Sequence, residues 1–220
     1  KPNEPKENYL YEYKLRNMKF PFEVATLKIN NSKLTYEEAT TSTAEAGKLS
    51  FTSFNLTAKN VYSGYKRKSG PRTQINVQTQ FMDKAKLTAS WSFDIMDKTD
   101  SFNINGDLNN FPAVGMNPFL KPYMNVSASG TIDRMVFNFS GNNNTSTGDF
   151  GMDFRNLNMK IFNKEDKERK LLSAAANMVL RTDTDGLKKT EIKPVERKKD
   201  CSFFNFLWLS IMQGLKQTVI

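Results

Sequence analysis

The sequence predicts a mainly β protein, an extended curved antiparallel sheet shaped as an open groove or taco, with two C-terminal α-helices. Three observations carry this. Apolar and aromatic residues alternate with polar ones in run after run, the two-residue period of a half-buried strand. Clusters of Asn, Ser, Thr, Asp and Gly separate the runs, as turns do. The aromatic content of 12%, with 17 Phe, is too high for a disordered chain, and 220 residues suffice for one sizeable domain or two small ones.

The elements follow in order. Residues 1–20 open on Lys1-Pro2-Asn3-Glu4-Pro5 and read as a linker or entry segment, so the chain is expected to be a piece of a longer or processed protein. Residues 21–162 are the sheet region. Phe22–Ile29 is a strand, Asn30-Asn31-Ser32 a hairpin turn and Lys33–Glu38 the return strand. Thr40–Ala46 is a polar loop. Gly47 then opens a long strand whose phase slips at Thr52-Ser53, the signature of a β-bulge. Tyr62–Thr73 is a basic loop with Lys66, Arg67, Lys68 and Arg72. Ile75–Phe81, Leu87–Ile95 and Phe102–Leu108 form a meander with turns at Asp83-Lys84 and Asp97–Asp100. Asn110–Asn125 carries three prolines and cannot be a central strand. Val126–Phe139 is a strand, Gly141–Gly148 a flexible loop, and Phe150–Ile161 a further strand.

Residues 163–220 change character. Asn163–Arg181 has helical spacing through Leu171, Leu172, Ala175, Met178 and Val179. Thr190–Arg197 is a last strand. Asp200 or Ser202 caps a final helix with an apolar face of Phe204, Leu207, Trp208, Ile211 and Leu215. An internal repeat also appears. Residues 47–56 and 148–157 share Gly-x-apolar-x-apolar followed by Asn-Leu, at an offset of 148 − 47 = 101. A repeat of this kind implies an extended sheet rather than a closed barrel.

Composition excludes much chemistry. With no histidine, the Ser-His-Asp and Cys-His nucleophile systems and the commonest metal ligand are gone. Cys201 is the sole cysteine, so it forms no intramolecular disulfide, and its apolar surroundings suit a structural thiol. No phosphate-binding glycine loop or hydrolase motif occurs. The expectation is a non-enzyme with no catalytic residues, no metal and no cofactor. A net charge of +9 suits an anionic partner, or simply a soluble surface. No run approaches the ~18 apolar residues that span a bilayer.

Three segments carry a resemblance. Leu108-Asn109-Asn110-Phe111, Asn117-Pro118-Phe119-Leu120-Lys121-Pro122 and Ser129-Gly130-Thr131-Ile132-Asp133 resemble the C-terminal repeat of AsmA-like bacterial envelope proteins. So do Ala176-Asn177-Met178-Val179 and the ending Ser202–Trp208 with Gly214-Leu215-Lys216. The resemblance covers about half of the chain, chiefly the C-terminal half, through short motifs. It implies a periplasmic, inner-membrane-anchored protein of the bridge-like lipid-transfer type, in which acyl chains move along an apolar groove and support outer-membrane lipid balance. These 220 residues include no anchor-length apolar run and are short for a bridge, so a terminal segment that caps the groove is the other expectation.

From the residues alone, alternation describes an ordinary sheet core as well as a groove. Under the resemblance, the groove candidates are Leu87, Trp91, Phe93, Phe102, Ile104, Phe137 and Phe139. Phe204, Leu207, Trp208, Ile211 and Leu215 would place the last helix either on a membrane or on the sheet, with packing on the sheet favoured. The basic loop at Lys66–Lys68 reads first as a solvated loop, with headgroup phosphate or RNA as the sharper alternatives. The expected partners are phospholipid or another apolar ligand and an inner- or outer-membrane protein; nucleic acid is disfavoured. The alternative function is a scaffold or protein-interaction module of the envelope that carries no lipid.

Overall fold

The computed structural model describes residues 7–38, 45–162, 168–169 and 181–219. Among them, nine strands form one open antiparallel sheet in eight ranks. These are β1 (Glu23–Glu38), β2 (Gly47–Tyr62), β3 (Thr73–Phe81), β4 (Ala85–Phe93), β5 (Phe102–Pro112), β6 (Val126–Gly141), β7 (Thr145–Phe162), β8 (Glu168–Arg169) and β9 (Lys189–Glu196). The first seven pair in chain order, and β8 and β9 share the outer edge of β7. Three helices accompany them: α1 (Tyr11–Arg16), α2 (Asn117–Met124) and α3 (Phe203–Val219). None is long and apolar enough to cross a membrane.

Register makes one face continuously apolar. Ile29 pairs Leu56, Leu56 pairs Val77, Val77 pairs Ala89, Ala89 pairs Gly106, Gly106 pairs Phe137, and Phe137 pairs Phe150. The neighbouring rank runs Leu27, Ala58, Ile75, Trp91, Ile104, Phe139. Gly106 is small because the Phe137 ring lies across it; a Cβ there would come within 2.4 Å of the ring.

The long strands bend at bulges rather than turns. Asn30-Asn31-Ser32 does not close a hairpin; β1 runs straight through it with register shifts on either side of Ser32. Asn31 takes a left-handed φ of 42° and Ser53, in the facing strand, one of 44°. The Asn55 side chain joins them, accepting from Asn31 N–H at 3.0 Å and donating to Ser53 O at 2.7 Å. Asparagine tolerates this conformation in a turn or a bulge alike, so sequence does not separate the two. The β6–β7 hairpin has register shifts at a matching place, around residues 129–134, where Gly130 (φ 97°) faces Asn156 (φ 52°). The two long hairpins, one holding each copy of the sequence repeat, are therefore kinked near their middles alike. The bulge predicted at Thr52-Ser53 is present, between Thr52 and Asn55.

Other expectations change. Gly141–Gly148 is mostly strand, closed by a tight turn in which Asn142 Oδ1 accepts from Asn144 N–H at 2.8 Å and Thr145 N–H at 3.1 Å. The Pro-rich segment begins as the end of β5, then forms a 3₁₀ turn at Ala113–Met116 and α2, with Pro118 in the first turn where it is tolerated. The helix expected over 163–181 falls mostly outside the described residues, and within that span Glu168–Arg169 pair as β8. The polar loop at 40–46 lies outside them as far as residue 44. The expected linker instead contributes α1, which is anchored by buried Leu10 and Glu12. Six residues are too few for a helical period to stand out in the sequence.

The last helix lies across the apolar face. Ser202 Oγ accepts from Asn205 N–H at 3.2 Å as its N-terminal cap. Phe203 stacks on Trp91 at 4.4 Å between ring centroids, and Phe203 and Phe206 meet Phe102 edge-on. Further along, the Ser210 and Ser146 hydroxyls are 2.8 Å apart, and a Cβ on Gly214 would lie 2.2 Å from the Phe150 ring. The helix therefore sits against β7 at a distance that only glycine allows. Gly214→Val should destabilise the fold by about 3 kcal/mol, from overpacking against Phe150. Urea denaturation measures this, and an unchanged midpoint would contradict the contact.

Candidate apolar binding site

The structure divides the expected groove residues. Phe93, Phe102, Ile104, Phe137 and Phe139 are buried in the main cluster beneath α3, and Leu87 and Trp91 are half-buried. Along this half of the sheet the apolar face is a core. Of the expected helix face, Leu207, Trp208, Ile211 and Leu215 are half-buried against the same cluster, and Phe204 is exposed beside Tyr36. The deepest stripe of α3 is instead Phe203, Phe206, Ser210 and Gly214. The helix thus lies on the sheet, and Trp208 meets Phe119 of α2 edge-on at 5.1 Å.

The same face stays open on β1–β3. Leu27 and Leu34 are 47% and 45% exposed. Ile29, Leu56 and Val77 are half-buried and belong to neither buried cluster nor the side chains packed against one. Register fixes their direction: Leu56 and Ala58 point to one side of β2, and Ile75, the partner of Ala58 on β3, packs against the main cluster. Ile29–Leu56–Val77 is therefore the uncovered continuation of the rank that carries Phe137 and Phe150 under the helix. Two aromatics of the covering helices are exposed, Phe204 and Tyr11, the latter edge-on to Trp91 and Phe203. This strip escaped the sequence reading because alternation in β1 looks like alternation in β4, and only the reach of the helix tells them apart.

Charged groups gather elsewhere, where α1, the β4–β5 turn and the segment leading into α3 meet. Arg16 pairs with buried Asp100 at 2.6 Å and donates to Ile95 O at 3.1 Å. Buried Arg197 donates to Asn143 Oδ1 at 2.8 Å and to Asn8 O, and Glu7 lies 3.9 Å away. Between them, Glu12 is wholly buried, and neither carboxylate oxygen has a well-formed hydrogen bond. Burial pushes its carboxyl up to about 7, with the Asp100 charge adding to the rise and Arg16 and Arg197 opposing it. The cluster fastens α1 to the β4–β5 turn and to the segment before α3. The Cys201 thiol is pushed up by burial and by Asp200, the reverse of what a nucleophile needs. Among the described residues no group of three or more acidic or cysteine side chains could hold a metal ion.

Glu12 carries a pH dependence. Its folded value lies above the ordinary 4.5, so its stabilising share is complete below about pH 4.5 and is lost as pH rises through about 7. Glu12→Gln should therefore be more stable than wild type at pH 8, by up to about 3 kcal/mol, with the gap closing below pH 5. Denaturation at the two pH values measures it, and a pH-independent difference would show that the fold does not raise the Glu12 carboxyl above its ordinary value.

No protein-family model, curated protein or solved structure matches this chain. The functional reading therefore rests on the residues themselves.

Proposed function

We propose that this chain is a non-catalytic module that holds the acyl part of a phospholipid on the open apolar strip of β1–β3. In this reading it belongs to an AsmA-like, inner-membrane-anchored envelope protein, acts in the periplasm and serves outer-membrane lipid balance. One observation carries the reading. Five aliphatic side chains, Leu27, Ile29, Leu34, Leu56 and Val77, line one face of three adjacent strands outside both buried clusters, with Leu27 and Leu34 exposed and buried Phe54 among them. Exposed apolar surfaces of this kind mark binding sites for apolar partners. The side chains extend along β1 from Leu27 to Leu34 and across to Val77 on β3, which suits a chain laid over them. The sequence has no histidine and the one cysteine has a raised thiol pKa, both in keeping with a role without chemistry.

Lipid extraction and mass spectrometry on the purified, detergent-free protein test the proposal. Wild type should carry phospholipid near stoichiometry, and Leu27→Glu/Leu34→Glu should lose it by about tenfold, since acyl contact with two leucines is replaced by charge. Both positions are exposed, so circular dichroism should be unchanged. A folded wild type without lipid, or a variant that retains it, would refute the proposal; the first result would favour an envelope scaffold.

A further inference from the structure

The loop between α1 and β1 and the loop between β2 and β3 form one tip of the sheet. They are locked together by Ser63 N–H donating to Phe22 O at 2.8 Å, Phe22 N–H donating to Ser63 Oγ at 3.0 Å and Gly64 N–H donating to Leu15 O at 3.0 Å. Gly64 allows this approach, since a Cβ there would lie 2.5 Å from Arg16 O. On this frame Phe20 is 56% exposed and Phe22, beyond Pro21, is exposed as well. An ordinary solvated loop has no reason to hold two phenylalanines in water.

The two loops themselves are strongly basic, while the acidic β4–β5 turn beside them has Asp100 engaged by Arg16 and Asp97 by Thr99 and Ser101. Residues 17–23 and 63–72 carry five cations, Lys19, Lys66, Arg67, Lys68 and Arg72, against one carboxylate, Glu23. Glu23 is taken by Arg67, whose guanidinium also lies 4.8 Å over the ring of buried Tyr62. A cavity of about 180 Å³ between the loops is lined by Pro21, Phe22, Glu23, Ser63, Tyr65 and Arg67. Its own cation is thus neutralised. Lys19, Lys66 and Lys68 remain exposed, with none of them paired to a carboxylate among the described residues.

We infer that this tip docks on an anionic phospholipid bilayer, with Phe20 entering the interface and Lys19, Lys66 and Lys68 meeting headgroup phosphates. An exposed apolar wedge on a frame that also carries lysines without carboxylate partners, Lys66 lying over the Tyr65 ring at 5.2 Å, is what an interfacial anchor requires. Single-stranded nucleic acid fits less well. It takes aromatic platforms spaced along a basic groove, whereas here Phe20 and Phe22 share one loop with Pro21. Docking does not depend on lipid lying in the β1–β3 strip.

Flotation with phosphatidylcholine vesicles, with and without phosphatidylglycerol, tests this. Wild type should float with the anionic vesicles only, and less as salt rises. Phe20→Asp and Lys66→Glu/Lys68→Glu should each lower binding by about tenfold. Lys84→Glu/Lys86→Glu, the same charge change at the opposite end of β4, should have a much smaller effect. In Phe20→Trp, fluorescence should shift to the blue on anionic vesicles and be quenched by brominated acyl chains. Leu27→Glu/Leu34→Glu should still float, which separates docking from lipid carriage. Absence of flotation, equal loss in both lysine pairs, an unshifted indole emission in Phe20→Trp, or capture of a single-stranded RNA oligomer in preference to vesicles would each overturn the inference.

Discussion

A sheet that is apolar on one face needs a cover, and α3 is the longest helix among the described residues that provides one. Its length sets what can be covered. From Phe203 to Gln217 it advances about 21 Å. It meets Trp91 on β4 at its start, Phe150 on β7 further along, and the β9 backbone through Gln217 at its end. Four inter-strand spacings separate β4 from β9, about 19 Å. Eight ranks span about 34 Å. The crossing from β4 to β9 therefore leaves three ranks, β1–β3, which α3 touches at the end of β1, where Phe204 meets Tyr36 and Asn205 meets Glu38. The open strip follows from this mismatch and needs no special sequence of its own.

Curvature and closeness make the cover fit. The paired bulges in β1–β2 and β6–β7 bend the two longest hairpins, as bulges do, and Gly214 and Gly106 lower the contact surfaces where rings cross them. The bent end of β1 brings Tyr36 to Phe204 and Glu38 to the Asn205 amide at 3.2 Å, so the edge strand touches the helix at its far end but not along its middle. At the other end, α1 is clamped through Arg16, Asp100 and the buried Glu12. The apolar strip thus lies between two fastened ends.

Much of this was legible in the sequence and some was not. Alternation marked the strands, their order along the chain and the shared face, because the period of two is local. The Ser202 cap and the bulge at Ser53 are also local signals, and both are present. Asn30–Ser32 misled because left-handed asparagine serves turns and bulges equally. Of the residues expected to line a groove, Phe93, Phe102, Ile104, Phe137 and Phe139 are large apolar residues of the kind a core also selects. Leu27, Ile29 and Leu34 are ordinary in the sequence. What distinguishes them is distance from a helix at the far end of the chain, which no local pattern encodes.

The account turns on the uncovered face of β1–β3 meeting lipid, and site-specific photo-crosslinking tests that most directly. Benzoylphenylalanine would be placed at Leu27 or Leu34, which share the apolar face, and at Lys28, exposed on the opposite face of the same strand. After irradiation in membranes, mass spectrometry should find phospholipid adducts at Leu27 and Leu34 and none at Lys28. Adducts at Lys28 in equal yield, or protein adducts alone at the two leucine positions, would contradict a lipid-bearing strip.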